Sequence, residues 1–432
     1  MRSPKFNICV KSTSGWEAAT LLTEHYFCGN QKADQLLDAL PDNFTGGQRA
    51  TCQSLFLGAL RFGHRTQAAL KSLVRKKTKP RIQAILLVTG FELLDASPDR
   101  HPKIIHHAVE QSKGHVNRFE QGFLNAVLRK LPGELLKIDP TANPAAFYSH
   151  PEWLVEHWSK VFPGHYQALL EWNQKTPQTY LKVYSENVPL PPTIVPTEWA
   201  QFHRLESGTS WKEEVRPLLN QGNAYIKDPS TRLAPNLLAA QPGESILDLC
   251  AAPGGKAFDL AHAMQRRGQI VAVDLPGKRI ERLRENLHTL TSPSLAGEIV
   301  DADLLTLSHA ELNTKALPAT YDAVMLDAPC SNTGVIQRRT DVKWRLKPNE
   351  IQQCAQLQLK LLKASAKFVK RGGRIVYSTC SIEPTENQDV VDAFLQSESG
   401  QEFRLSKKAI SLPWETNHDG AGAFLLTRPK ID

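Results

Sequence analysis

Ser245-Ile246-Leu247-Asp248-Leu249-Cys250, running into Ala251-Ala252-Pro253-Gly254-Gly255-Lys256, is the stretch on which the reading of this chain turns. The first half is short and largely apolar, as a strand buried on both faces of a parallel sheet should be. The second half is a loop of small residues and two glycines that opens a helix. Ligands bind at the carboxyl ends of such strands, where helix N-termini present free N–H groups. Small residues and glycines let a ligand approach the backbone closely. The loop is neither G-x-G-x-x-G nor a Walker P-loop, and taken alone it could be no more than a tight turn.

Working outward, similar runs recur at Gln269–Asp274, Glu298–Ala302, Tyr321–Asp327, Arg374–Thr379 and Ala423–Thr427. Helical stretches such as Arg279–Leu290 and Glu350–Val369 lie between them. Alternation of this kind predicts a doubly wound, Rossmann-like α/β domain over residues 236–432. Asp274 closes the second strand, 24 residues after Cys250. An acid there typically holds a ribose diol. Loop and acid together point to an adenosine-containing cofactor.

Two cysteines sit where the chemistry should be. Asp327-Ala328-Pro329-Cys330-Ser331 follows the fourth strand and Ser378-Thr379-Cys380-Ser381 the fifth. A lone cysteine is usually an inert small hydrophobe, which is the reading of Cys9, Cys28, Cys52 and Cys354. Cys330 and Cys380, flanked by small polar residues at the rim of the sheet, are placed to ionise and attack. All seven cysteines lack a CxxC spacing. That argues against a disulfide framework and a zinc ribbon, implies no metal, and suits a reducing cytoplasm.

Residues 140–235 read as a small α+β connector. It has a Trp-rich helical stretch (Trp153, Trp158, Trp172), a strand at Tyr180–Tyr184 and a proline-rich segment from Pro189 to Pro196. Residues 1–139 read as all helix. Cys52, Leu55, Phe56, Ala59 and Leu60 make one amphipathic stripe. Pro80 stops a segment, and Ile82–Leu94 is apolar nearly all round. Val116, Phe119, Phe123, Ala126 and Val127 make another stripe, ended by Pro132-Gly133. The opening residues, from Met1 to Glu17, contain no apolar core of signal-peptide length, and no run approaches a membrane span.

The formal net charge is +8 over 432 residues, and it is not spread evenly. Residues 1–140 hold 20 Lys and Arg against 12 Asp and Glu, while the remainder holds 32 of each. Arg61 to Arg81 carries eight basic residues and no acid. Most charge runs are solvated helix faces. This one, with Arg75, Lys76, Lys77 and Lys79 at its centre, is read as a phosphate-binding patch.

At these residues the chain resembles a known family. Asp248 to Lys256, Asp327 to Ser331, and Ser378-Thr379-Cys380-Ser381-Ile382-Glu383-Pro384 with Glu386-Asn387 are similar to the signature motifs of the S-adenosylmethionine-dependent RNA cytosine-5 methyltransferases of the NOL1/NOP2/Sun family. Gly122 to Arg129, within the helical third, resembles the NusB-like RNA-binding domain. The resemblance implies a class I methyltransferase domain behind a NusB-like domain. It implies S-adenosylmethionine as cofactor and RNA as partner, namely 16S ribosomal RNA, free or early in assembly. The protein would be a monomer with no membrane role.

Residue by residue, the resemblance implies that Cys250, Ala251, Ala252, Pro253, Gly254, Gly255 and Lys256 line the cofactor site. Asp274 would take the ribose, and Asp301, rather than Asp303, would lie near the adenine. Asp327 would stand between cofactor and base, Cys380 would be the nucleophile, and Cys330 would help product leave. Arg338, Arg339 and Lys343, beside Trp344, are read as RNA contacts at the mouth of the site. Departures from the family pattern are Asn332 for a small residue, Arg339-Thr340 for His-Pro, and Lys227-Asp228 for Gln-Asp. Two competing readings are a DNA cytosine methyltransferase, in which the cysteines exchange roles, and a non-catalytic RNA-binding protein with an idle methyltransferase fold. The second cysteine argues against the first, and the intact loop and cysteines against the second.

Overall fold

The computed structural model describes residues 14–185 and 187–430. Cys9 and the first thirteen residues of the opening stretch lie outside the described residues. The chain gathers into two units, one of residues up to Thr176 together with Ile336–Arg345, the other of Pro177–Val335 and Leu346 onward. No described helix is long and apolar enough to cross a membrane.

In the first unit, helix Gly46–Leu73 begins at a reciprocal cap. The Gln48 amide N–H donates to Thr45 Oγ1 at 3.2 Å, and the Thr45 N–H donates to the Gln48 side chain at 2.9 Å. Two orphan N–H groups are thereby satisfied. Its stripe of Cys52, Leu55, Phe56, Ala59 and Leu60 is buried, against helix Pro80–Asp95, which is buried nearly all round. Pro80 opens that second helix, as its first residue, where no N–H is needed. The two helices meet at small residues: a Cβ on Gly58 would lie 2.3 Å from the Phe91 ring, and one on Gly90 2.4 Å from Thr66.

The helix that starts at Arg118 differs from expectation at both ends. Asn117 caps it, so Val116 precedes it and Phe119 in its first turn is 86 % exposed. It does not stop at Pro132-Gly133 but runs through Pro132 to Leu136. Leu131 and Leu135, buried on either side of the proline, hold the last turn down.

The expected connector is shared out. Its helices Pro144–Phe147, Glu152–Val161 and Tyr166–Gln174 fall in the first unit. Its strands form a four-stranded antiparallel sheet of the second: β1 (Tyr180–Val183), β2 (Ile194–Pro196), β3 (Phe202–Leu205) and β4 (Ala224–Ile226), in the order β2-β3-β1-β4.

The second unit is built on β5 (Ser245–Leu249), β6 (Gly268–Asp274), β7 (Leu295–Asp301), β8 (Tyr321–Asp327), β9 (Val369–Thr379), β10 (Arg404–Ser411) and β11 (Ala421–Thr427). Their order is β10-β11-β9-β8-β5-β6-β7. The five strands from β5 to β9 are parallel, and β11 and β10 are antiparallel additions. Strand order reverses between β5 and β8, which opens a crevice at their carboxyl ends. The sequence reading missed β10 because Arg404-Leu405-Ser406-Lys407-Lys408 is mostly exposed; a charged edge strand carries no apolar run. Helix Glu350–Ala366 ends three residues early, since Val369 already begins β9.

The close approach at Gly58 gives a test of the helical packing. Gly58→Val should lower stability by roughly 1–3 kcal/mol through overpacking. Gly122→Ala, where a Cβ meets nothing within 4 Å, should raise it by about 0.5–1 kcal/mol. Urea titration followed by circular dichroism reads both, and equal effects of the two variants would refute the packing account.

Candidate active site

The glycine loop is shaped by its backbone. Cys250 has φ 58° and Gly254 φ 102°, with a cis bond between Ala252 and Pro253. The left-handed φ at Gly254 is what calls for glycine, and a Cβ there would also press on the Leu283 side chain at 3.1 Å. The neighbouring strand fixes the loop from outside. Asp274 Oδ2 accepts the Ala252 N–H at 2.7 Å, and Oδ1 accepts that of Leu275 at 2.8 Å. Asn286 Nδ2 donates to the Pro253 carbonyl at 2.6 Å.

Acids ring the strand ends. Asp274 stands opposite Asp301 in the β6–β7 register, and Arg284 pairs with Asp301 at 2.7 Å. Asp303 is occupied in its own turn, accepting the Leu305 N–H at 2.9 Å. Asp248 is fully buried, and among the described residues neither of its oxygens has a hydrogen-bond partner. Burial pushes its carboxyl up to about 7. Asp327 accepts an ion pair from Lys256 at 2.6 Å and a hydrogen bond from Ser378 at 3.2 Å. Lys256 is held above its usual range by Asp327, against the opposing effect of burial.

The loops after β8 and β9 bring the two cysteines together, with Cys330 Sγ 3.1 Å from Cys380 Sγ. Contact with Cys380, then burial, pushes the Cys330 thiol well up. The two loops share one buried acceptor, Glu386. Its carboxylate takes the Ser331 N–H at 2.9 Å, the Ser381 hydroxyl at 2.8 Å, the Gln358 amide at 2.8 Å and the Ser331 hydroxyl. Burial raises Glu386 above the ordinary carboxylate range. Asn387 ties the same corner, accepting from Thr379 Oγ1 and donating to the Ser381 carbonyl, both at 2.8 Å. Gly334 closes it: its N–H donates to the Cys380 carbonyl at 3.1 Å, and a Cβ there would lie 2.4 Å from the Gly420 carbonyl.

Cys250, Ala251, Ala252, Pro253, Gly254, Gly255, Lys256, Asp274, Asp301, Asp327, Cys330 and Cys380 therefore all lie in the second unit, at the carboxyl ends of adjacent parallel strands. The sequence reading gave no role to Glu386, Ser378 or Asn332. Glu386 belongs to the motif that follows Cys380, but nothing in a linear sequence says that its carboxylate serves two loops. Of the other cysteines, Cys52 is buried and raised to about 12, and Cys354 is half-buried and raised to about 11, both by desolvation. Cys28 corrects the reading, since it is exposed.

The basic residues divide. Arg75, Lys76 and Lys77 are exposed and make no ion pair among the described residues, beside a hollow of about 470 Å³ lined also by Leu73 and Phe123. Lys79 pairs with Glu120 at 2.6 Å and Arg81 with Glu24 at 3.2 Å. Arg61 is buried, its guanidinium donating to the Gln337 carbonyl at 2.8 Å. Arg338 is half-buried and Arg339 exposed. Lys343 cannot serve as a phosphate contact. It is completely buried, its ammonium donates to the Arg61 carbonyl at 2.9 Å, and burial holds it well below the usual lysine range.

Replacing Glu386 tests its role as shared acceptor. Glu386→Ala leaves several buried donors unsatisfied and should cost roughly 3–5 kcal/mol. Glu386→Gln should cost less than about 1.5 kcal/mol, because the amide oxygen can face Ser331 N–H and Gln358 while the hydroxyls reorient to accept. Chemical denaturation distinguishes the two; equal losses would show that acceptor geometry is not what matters.

Residues 235–418 match the family model described as 16S rRNA methyltransferase RsmB/F, and residues 18–132 match the NusB family. Ribosomal RNA small subunit methyltransferase B of Pseudomonas syringae pv. tomato is 32% identical over 370 residues, covering 82% of this chain and 80% of that protein. The protein of the same name from Yersinia pestis is 29% identical over 415 residues, covering 91% and 93%. Among solved structures, PH0851 superposes with a TM-score of 0.75 at 21% identity, covering 96% of this chain and 99% of that one. NSun6 from Pyrococcus horikoshii superposes with 0.54 at 16% identity, covering 65% and 99%. These two likenesses are of fold.

Proposed function

We propose, for a chain that belongs to the ribosomal RNA small subunit methyltransferase B family and is thus an S-adenosylmethionine-dependent ribosomal RNA methyltransferase, that it methylates carbon 5 of a cytosine in 16S ribosomal RNA through a covalent cysteine adduct. The observation that carries this reading is the pair of thiols 3.1 Å apart in the loops that follow β8 and β9, whose ends are joined where Ser378 donates to Asp327 at 3.2 Å.

The residues present suit the cofactor. A cationic sulfonium compound matches a rim of acids that includes Asp248, a buried carboxylate with no hydrogen-bond partner among the described residues. The loop from Cys250 to Lys256 would hold the cofactor's polar groups through backbone N–H, Asp274 its ribose and Asp301 its adenine side. When bound, S-adenosylmethionine supplies an electrophilic methyl group.

The remaining work falls to this chain's own side chains. Carbon 5 of cytosine is a weak nucleophile. Addition of the Cys380 sulfur at carbon 6 turns the ring into an enamine, whose carbon 5 is nucleophilic. Asp327 favours that addition at N3: its pair with Lys256 opens as the base enters, and the proton that Cys380 gives up on attack is the one Asp327 carries to N3. After methylation the proton on carbon 5 must leave and the Cys380 bond must break. Cys330, in contact with Cys380, is assigned to that release: once it has given its own hydrogen to solvent it takes the carbon 5 proton, the electron pair re-forms the ring double bond, and Cys380 leaves as a thiolate. The base must be unstacked to reach the cysteines. Arg75, Lys76, Lys77 and Lys79 hold the RNA backbone, with Arg338 and Arg339, which follow the cysteine loop in sequence, contributing further phosphate contacts. The protein works in the cytoplasm, as a monomer, on free or assembling RNA.

Cys380→Ala should lower methyl transfer by about four orders of magnitude or more, as removal of a covalent nucleophile does. Cys330→Ala should accumulate a protein–RNA adduct, visible as a shifted band on a denaturing gel. Full activity of Cys380→Ala would overturn the nucleophile, and an unchanged bisulfite map of 16S RNA in a deletion strain would overturn the target. Replacing Arg75, Lys76, Lys77 and Lys79 by Gln should flatten the salt dependence of RNA binding by about 0.7 in slope for each phosphate no longer neutralised. Titration calorimetry with S-adenosylmethionine should show unchanged affinity in that variant.

A further inference from the structure

Asn332 occupies a position that most side chains avoid. Its φ of 63° is left-handed, a conformation asparagine accepts more readily than most residues. There its carboxamide makes two contacts. Nδ2 donates to the Cys330 carbonyl at 2.8 Å, two residues back. Oδ1 accepts from the Cys380 thiol at 3.2 Å. The first contact sets the orientation of the second: with the NH₂ engaged by a carbonyl, only the oxygen can face the sulfur.

Among the described residues Cys380 Sγ has two hydrogen-bond neighbours, Asn332 Oδ1 and Cys330 Sγ at 3.1 Å, and it lies within electrostatic reach of the Lys256 ammonium, which the Asn332 variants leave in place. A thiol has one hydrogen, and an amide oxygen is a better acceptor than sulfur. The arrangement that satisfies every group is a chain in which Cys330 donates to Cys380 and Cys380 donates to Asn332. Cys330 then keeps its own hydrogen, in keeping with the upward push on its thiol.

We propose that Asn332 is a positioning residue for Cys380: its carboxamide holds the thiol hydrogen, fixes the direction of the sulfur, and restrains its reactivity until a substrate displaces that contact. This rests on the reading of Cys380 as nucleophile, but it concerns the resting thiol and requires no RNA to be tested. Because Asn332 acts through Cys380, it is distinct from the groups that touch the base.

The test is alkylation of Cys380 by iodoacetamide at neutral pH, followed by peptide mass spectrometry on the full-length protein. Asn332→Gly keeps the left-handed backbone accessible while removing the carboxamide. It should speed Cys380 alkylation about three- to tenfold, the size expected from loss of one hydrogen bond to the neutral thiol. Asn332→Asp keeps the shape but sets a carboxylate against the sulfur, and should slow alkylation by a similar factor. Opposite signs in the two variants support the proposal, because a loop that is merely loosened would change both in one direction and would expose Cys330 as well. Cys380 rates within twofold of the parent in both variants, or shifts of the same sign, would overturn it. Neither result bears on whether Cys380→Ala abolishes methylation, so the two readings fail separately.

Discussion

One buried carboxylate holds the chemical end of this molecule together. Glu386 takes hydrogen bonds from the loop that carries Cys330 and from the loop that carries Cys380, through Ser331 and Ser381. A buried charge is costly unless it is surrounded by donors. Here the donors are the loops themselves, so the requirement to satisfy one carboxylate becomes a requirement that the two thiols lie side by side. The parallel pairing of β8 with β9 brings the loops to the same rim, and Glu386 sets their final spacing. Asn387 and the close approach of Gly334 to Gly420 leave the corner little freedom to relax.

A comparable arrangement governs the cofactor side. Asp274 accepts one backbone N–H on each oxygen, from the glycine loop and from its own strand end, which leaves a lone pair on each for a further donor. A buried cluster lies behind that loop. Asp259 accepts from Lys182 at 2.7 Å, Lys227 at 2.8 Å and Tyr184 at 3.0 Å, and Lys227 also donates to the Gly255 carbonyl at 2.7 Å. The small antiparallel sheet, which supplies Lys182 on β1 and Lys227 just beyond β4, is therefore a brace for the helix that the glycine loop opens. Burial lowers Lys227 to about 8, while Asp259 partly offsets the effect. Lysine at a position where the family pattern has glutamine thus has a physical partner in Asp259.

Much of this was legible in the linear sequence, and the reasons are specific. Strands β5, β6 and β8 were readable because a strand buried on both faces must be apolar along its length. The loop from Cys250 to Lys256 was readable because only small residues and glycine permit its turn. What the sequence concealed were relations between distant residues. Lys343 looked like a surface cation beside arginines, yet its stem and ammonium are covered because residues 336–345 pack with the helical unit. Pro132 looked like a stop, yet leucines on both sides outweigh one missing hydrogen bond. β10 looked like loop, because an edge strand with lysines has no apolar face to announce it.

The path of residues 336–345 bears on inheritance. The chain leaves the sheet unit after Val335, spends ten residues in the helical unit and returns at Leu346. Within that excursion, Trp344 donates to the Leu60 carbonyl at 2.8 Å and the Ala33 N–H reaches Asp341 at 3.3 Å. The segment 336–345 is therefore shaped by the helices it packs with as well as by the sheet it leaves and rejoins. A recombinant that acquired a foreign helical portion at a single breakpoint near Thr176 would keep a ten-residue insert shaped for a partner no longer there.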